Sequence, residues 1–467
     1  MDALIGSNFI VRNPTDELRQ WCAEHLVIDN PDYIKLTRMK KWTGNTPRYL
    51  QLYIRYGATS ETPEMLVLPF GCSDLLRQFP MPFKVLISPL RAVQYHPDIK
   101  LYPYQEEAVE AALKYKNGIL VMPCGAGKTI TGLSVIARIG GRALWLTHTQ
   151  DLLNQSFDRA RSVLDIALPT YGTITNGKVN IGSGITFATV QTMSKLDLTQ
   201  YKNSWDIVIV DECHKAIGAP TKVMQFYKVL SNLNCRYKFG LTATPKRADG
   251  LERSMYALLG DIIHEVSRDD VASTTCPVNV ELIHTGYMPD MNLALAGDGT
   301  INYAGLVKDL TGNSERLYNV AVKINQVAEQ GATLVLANRV EYLQRLEGIL
   351  TKAGRTCICL SGLGNSKAAK QERKEALRKL NAGEIDCVLA SYKLAAEGLD
   401  CPNLRYVVLA TPEKDPSLVQ QATGRVGRKA PGKEYGTVID FVDDFGMYKS
   451  WKKKRESVYK KLGYFIM

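Results

Sequence analysis

Ile119-Leu120-Val121-Met122-Pro123-Cys124-Gly125-Ala126-Gly127-Lys128-Thr129 joins an apolar run to a glycine-rich turn that ends in a lysine and a threonine. The run predicts a buried strand, and Ile130 to Ile139 predicts a helix, so the turn lies where a strand hands over to a helix N-terminus. Backbone N–H groups from Cys124, Gly125, Ala126 and Gly127, the Lys128 ammonium and the Thr129 hydroxyl then converge on one small volume. That arrangement suits the phosphates of ATP, with Lys128 on the β/γ-phosphates and Thr129 on Mg²⁺. The full phosphate-loop pattern has a further glycine where this chain carries Met122.

A second apolar run, Ile207-Val208-Ile209-Val210, leads directly into Asp211-Glu212-Cys213-His214. A buried parallel strand delivers its last side chains to the carboxyl edge of the sheet, where ligands of open α/β folds bind. Asp211 is therefore expected to hold Mg²⁺, and Glu212 to orient or deprotonate the attacking water. The two stretches need each other, since one supplies the phosphate cradle and the other the hydrolytic carboxylates.

At 467 residues the chain is too long for one core and suggests about three domains. Lys and Arg outnumber Asp and Glu by 58 to 47, a net charge of +11, which favours a polyanionic partner but does not separate DNA from RNA or an anionic membrane. The ten cysteines show no CxxC spacing, the closest pair being Cys357 and Cys359, so reduced thiols rather than a zinc site or a disulfide framework are expected. The N-terminus lacks a basic region followed by an apolar stretch, and no run approaches membrane-spanning length. A cytoplasmic protein without membrane contact is expected.

Residues 1–97 carry no nucleotide motif and read as a small α+β module. Tyr49 to Tyr56 alternates at strand period, Met65 to Leu68 suggests a second strand, and Pro80, Pro82, Pro89 and Pro97 punctuate the exit. From 98 to 272, runs at 118–122, 143–146, 185–188, 207–210 and 239–241 alternate with helical stretches, the pattern of a parallel sheet covered by helices. It resumes in 273–447 at 333–336, 356–360, 387–390, 406–409 and 437–439. The fold class is thus α/β, with two tandem parallel-sheet domains, which resemble RecA-like domains, and a small N-terminal α+β domain. Residues 448–467 predict a basic helix: Tyr448, Trp451, Val458 and Leu462 share one face, and Lys452, Lys453, Lys454 and Arg455 crowd beside it as a solvated group.

With these elements the chain resembles a superfamily 2 helicase over residues from about 101 to 430. Tyr104-Gln105 is similar to that family's adenine-reading glutamine motif. Thr147-His148-Thr149 and Thr189-Val190-Gln191 occupy the places where the family grips the nucleic-acid backbone. Leu241-Thr242-Ala243-Thr244-Pro245 matches the motif that couples hydrolysis to strand movement, and the resemblance gives His214, Thr242 and Thr244 that role. Ser391 through Glu397-Gly398-Leu399-Asp400 resembles the fifth motif, which implies strand contact by Ser391 and nucleotide contact by Gly398 and Asp400. Gln421-Ala422-Thr423-Gly424-Arg425-Val426-Gly427-Arg428 resembles the sixth, which implies that Gln421, Arg425 and Arg428 act at the γ-phosphate. Lys128 and these arginines lie in different sheets, so any such finger must reach from one domain to the other.

Pro123-Cys124-Gly125, the Asp-Glu-Cys-His spelling and Lys246-Arg247-Ala248-Asp249-Gly250-Leu251 resemble the type III restriction-like, DNA-acting branch. An N-terminal accessory module on a two-domain motor is similar to phage helicases that remodel forks and junctions. The resemblance implies a monomeric, ATP- and Mg²⁺-dependent motor in a bacterial or phage-infected cell, with branched DNA as partner. Within the module, Lys40, Lys41 and Trp42 sit among Lys35, Arg38, Arg48 and Tyr49. They read either as phosphate and unpaired-base contacts or as surface charge around core aromatics. Two other functions stay open: a double-strand translocase that does not separate strands, and an ATP-switched binding protein.

Overall fold

The computed structural model describes residues 1–123, 125–246, 249–271, 275–295, 300–360, 367–396 and 401–467. The chain divides into two units, Met1–Ser267 and Arg268–Met467. Among the described residues, the large sheet of the first unit has eight strands in the order Lys178–Asn180, Tyr171–Thr175, Ile185–Thr189, Ala143–Thr147, Ile207–Asp211, Tyr237–Thr242, Asn117–Val121 and Ile262–Glu265. Every pairing is parallel except the hairpin at the Lys178–Asn180 edge. Strands Asn117–Val121, Ala143–Thr147, Ile185–Thr189 and Ile207–Asp211 are buried along their whole length. Helices cover both faces, which is why these strands read as continuous apolar runs rather than as alternation.

The N-terminal sheet runs Ile54–Tyr56, Met65–Pro69, Asn8–Arg12, Asp2–Ile5, Phe83–Val85 and is mixed, its last pair being parallel. The stretch expected as one strand from Tyr49 to Tyr56 is two. Tyr49–Gln51 pairs with Val27–Asp29, and Ile54–Tyr56 pairs with Met65–Val67 in the other sheet. Leu50 and Leu52 are both drawn into the core, and the chain bends at Leu52–Tyr53 to change partners.

This module does not keep a core to itself. Leu18, Leu26, Leu50, Leu52 and Leu66 share one apolar cluster with Ile217, Ala219, Leu251 and Ala257. Gly71 lies so close to the neighbouring backbone that a Cβ would come within 2.3 Å of Gly260 N. Lys238, fully buried, donates to the carbonyls of Leu230 (2.8 Å) and Ser7 (3.2 Å) and sits over the Phe70 ring; burial pushes its ammonium down to about 8.

The second unit carries a parallel sheet in the order Cys357–Cys359, Cys387–Ser391, Thr333–Ala337, Tyr406–Leu409, Gly436–Val442, Val278–His284, Phe465–Ile466. Its last helix, Gly446–Lys461, buries Tyr448, Trp451 and Val458. Arg455, expected in the solvated basic group, is buried instead: Nε donates to Asp440 Oδ2 (2.8 Å), which also accepts from the Tyr459 hydroxyl (2.8 Å). Its position four residues after Trp451 puts it on the apolar face, and a buried guanidinium needs such a partner. Arg316 is held likewise, bidentate to Asp443 (2.6 and 2.9 Å) and bonded to the Tyr342 hydroxyl and the Ala410 carbonyl.

Arg316→Ala strands a buried carboxylate. It is expected to destabilise the second unit by about 3–5 kcal/mol, read as a shift of that unit's denaturant-unfolding transition. Removing both partners as Arg316→Met with Asp443→Leu should recover part of the loss.

Candidate active site

The phosphate loop leaves the strand Asn117–Val121 and enters the helix Lys128–Ile139 through Gly127 at φ 78°. A Cβ there would strain the left-handed backbone and meet Gln105 Nε2 at 2.3 Å, so glycine is required twice over. Gln105 is buried and braces the loop: Nε2 donates to the Ala126 carbonyl (2.9 Å) and Oε1 accepts from the Tyr102 N–H (3.0 Å). Tyr104 is buried and stacked at 5.6 Å on Tyr102, whose ring is half exposed beside the loop. Tyr102 was not picked out by sequence, since nothing local distinguishes it from a core tyrosine. Gly125, like Gly127, has positive φ.

The strand Tyr237–Thr242 lies between the phosphate-loop strand and Ile207–Asp211, in parallel register with both: Leu241 pairs with Leu120 on one side and with Asp211 on the other. Three strand ends thus converge. Lys128 Nζ stands 3.9 Å from Glu212 Oε1; His214 Nδ1 is 3.3 Å from Glu212 Oε2 and 3.2 Å from Thr242 Oγ1; and Thr242 Oγ1 accepts from the Thr244 N–H (3.1 Å). A polar path therefore runs from Lys128 through Glu212 and His214 to Thr242 and Thr244. Glu212 itself has φ 50°, a left-handed conformation that costs a non-glycine residue of order 1 kcal/mol or more and that recurs at functional sites.

Electrostatics divide the two carboxyls. Burial, and then the charge of Glu212, raise Asp211 above the usual carboxylate range. Burial opposes ionisation of Glu212 as well, but Lys128 and then His214 overcome it and hold that group low. Two adjacent acids facing one lysine leave negative charge that a divalent cation would relieve, and Asp211 with Thr129 at the helix start are suitable hard oxygen donors. Among the described residues, no three His, Cys, Asp or Glu side chains come together to hold a metal. A Mg²⁺ ion would share its coordination with nucleotide phosphates.

The expected strand-contact residues divide as well. Thr147 and Thr189 pair across adjacent strands and are buried, their hydroxyls donating inward to the Thr149 carbonyl (3.0 Å) and Thr192 Oγ1 (3.0 Å). Gln191 is exposed, and its Nε2 donates to the His148 carbonyl (2.6 Å), which ties the two loops together. Burial lowers the His148 imidazole to about 4. In the second unit, Ser391 ends its strand and caps the next turn by accepting from the Leu394 N–H (3.3 Å). Gln421, Arg425 and Arg428 are half-buried on and after the helix Pro416–Thr423, and Lys433 Nζ donates to the Arg428 carbonyl (2.8 Å). Cys124, Arg247, Ala248, Gly398 and Asp400 lie outside the described residues.

In the N-terminal module the helix Pro31–Arg38 buries none of its side chains. Lys40 and Lys41 are exposed just beyond it, Lys40 at φ 51°, and Trp42 is 89 % exposed with its ring over Gly44. Trp42 is therefore not a core aromatic. The guanidinium of exposed Arg48 lies 5.1 Å above the Tyr49 ring.

Comparison with known proteins gives two family matches: type III restriction enzyme, res subunit, over residues 98–247, and helicase conserved C-terminal domain over residues 314–430. A chain of Acanthamoeba polyphaga mimivirus provisionally named ATP-dependent RNA helicase L396 is 25% identical over 78% of this chain and 69% of its own length. The ATP-dependent DNA helicase uvsW of Enterobacteria phage T4 is 25% identical over 81% and 75%. Among solved structures, the ATP-dependent type ISP restriction-modification enzyme LlaBIII bound to DNA aligns with a TM-score of 0.56 at 19% identity. That alignment covers 78% of this chain and 30% of the other, a likeness of fold.

Glu212→Gln removes the carboxylate facing Lys128. ATP hydrolysis should fall at least about a hundredfold while nucleotide binding, followed by a fluorescent ATP analogue, persists; unchanged turnover would take Glu212 out of the chemistry. A second expectation concerns pH. His148 is held neutral to about 4 against an ordinary value of 6.5, so the unfolded chain takes up the proton first. Stability from this group should fall as pH drops from 6.5 towards 4, and His148→Gln should flatten that part of the melting-temperature profile.

Proposed function

The chain belongs to the superfamily 2 helicases, ATP-dependent helicases and translocases, and from that premise we propose that it moves on DNA and unwinds or branch-migrates forks and junctions. The observation that carries the DNA-branch reading is Trp42, nearly fully exposed on a stretch with exposed Lys35, Arg38, Lys40, Lys41 and Arg48. Leaving a tryptophan in water gains nothing for the fold, and cations around an aromatic ring suit phosphates beside an unpaired base. The relatives' names include both a DNA and an RNA helicase. DNA is preferred because the first sheet domain matches a restriction-enzyme subunit.

In this reading, Lys128 and the helix start at Thr129 hold the phosphates, Gln105 and Tyr104 bind the adenine, and Asp211 with Thr129 would hold Mg²⁺, which would supply charge neutralisation for the phosphates. Glu212, kept ionised by Lys128 and His214, orients the water. Hydrolysis is felt at Thr242 and Thr244 through His214. Arg425 and Arg428, with Gln421, stabilise the γ-phosphate charge, and Cys124, Gly398 and Asp400 contact the nucleotide. Gln191, His148 and Ser391 contact the strand, while Thr147 and Thr189 position the loops from inside. The motor acts as a monomer.

The restriction-subunit match also favours a second reading, a double-strand translocase that does not separate strands. ATPase and strand separation on forked, four-way, linear duplex and single-stranded DNA distinguish the two. Forks and junctions should stimulate most and be unwound. Because the module shares its core with the first sheet domain, point variants test it better than removal. Trp42→Ala should weaken fork binding, and Lys40→Ala with Lys41→Ala should lower the salt slope by about two. Arg428→Ala should cut turnover by about a thousandfold or more. Stimulation by linear duplex without unwinding would favour the translocase, and stimulation by RNA alone would remove the DNA reading.

A further inference from the structure

Tyr303 belongs to none of the motifs above. It opens the helix Tyr303–Gly312, the residue is 43 % exposed, and its ring meets Trp451 at 5.7 Å between centroids, tilted 48°. Trp451 is itself 7 % exposed and held edge-on by Tyr448 at 5.5 Å. Lys414 Nζ lies 4.9 Å from the Tyr303 ring centre and 6.0 Å from that of Trp451. The ring is thus backed by a buried indole, only partly covered, and has an ammonium over it.

The cluster sits where a ligand of this sheet belongs. Lys414 follows the strand Tyr406–Leu409, and exposed Arg339 follows Thr333–Ala337, both at the carboxyl edge where Ser391 ends its own strand. Asn338 ties the two strand ends together: its N–H donates to Thr411 Oγ1 (3.0 Å) and its Nδ2 to the Pro412 carbonyl (3.0 Å). Burial and then Glu413 raise the Tyr303 phenol, while Arg339 is near enough to act in the opposite direction. The Glu413 carboxylate is turned onto the backbone, accepting from the N–H groups of Lys414 (2.7 Å) and Asp415 (2.9 Å).

We propose that Tyr303 is a stacking platform for a base of single-stranded DNA, with Lys414 and Arg339 neutralising phosphates of the same strand. This deepens the DNA reading above and rests on it. Every base offers a planar face, so such a platform serves a motor that must pass any sequence, and the backing by Trp451 means that little freedom is lost on binding.

The test is equilibrium binding of the full chain to a labelled oligothymidylate and to a matched strand whose central nucleotides are abasic. The wild-type chain should favour the strand with bases. Tyr303→Ala should weaken that strand about ten- to a hundredfold and leave the abasic strand within about twofold, so the preference disappears. Tyr303→Phe should restore it, and Lys414→Gln should lower the salt slope by about one on both strands. Equal losses on the two strands, or no loss on either, would overturn the platform while leaving the DNA reading intact. Failure of the wild-type chain to bind either strand would overturn both.

Discussion

Lys128 and Glu212 face each other because one strand holds their two strands apart at a fixed distance and level. Tyr237–Thr242 pairs in parallel with the phosphate-loop strand on one side and with Ile207–Asp211 on the other, so a slip of one residue on either side would move a carboxylate away from the lysine. The register is secured by burial: Phe239 and Leu241 pack on one face, and Gly240 lies against Cys213, where a Cβ would come within 2.6 Å of the sulfur. Catalytic geometry is thus a by-product of core packing. The strained backbone of Glu212 persists because both neighbouring segments are fixed.

What the sequence made legible follows from the same physics. Strands buried on both faces announce themselves as apolar runs, and side chains at their carboxyl ends inherit a predictable place, which is why Lys128, Glu212, His214 and Thr242 could be named together. Edge elements carry no such mark. Lys178–Asn180 and Phe465–Ile466 are short, and Val278–His284 begins by alternating apolar and polar residues because the face carrying Asn279 and Glu281 is only partly covered, Glu281 meeting Lys323 there.

Side-chain fates were harder to read than strands. Thr147 and Thr189 have the residue type for backbone contact, yet their hydroxyls are used inside the protein. Arg455 has the composition of a surface cation but stands on the apolar face of its helix and finds Asp440. Trp42 and Tyr303 show the converse. Aromatic type predicts burial, and only the three-dimensional surroundings reveal that one ring stands in water and that the other, though packed on Trp451, is partly exposed. Local sequence reports what an element needs; it does not report which neighbour supplies it.

The cluster joining Leu18, Leu26, Leu50 and Leu66 to Ile217, Leu251 and Ala257 bears on how the molecule is made. The N-terminal leucines leave the ribosome well before the residues that complete their cover. At about 5–20 residues per second, the nascent module waits roughly 10–40 s with an unfinished apolar face. During synthesis this face is the surface that a holding chaperone would occupy. Slowing translation before Ala257 would lengthen that window, and with it the chance of association between neighbouring nascent chains.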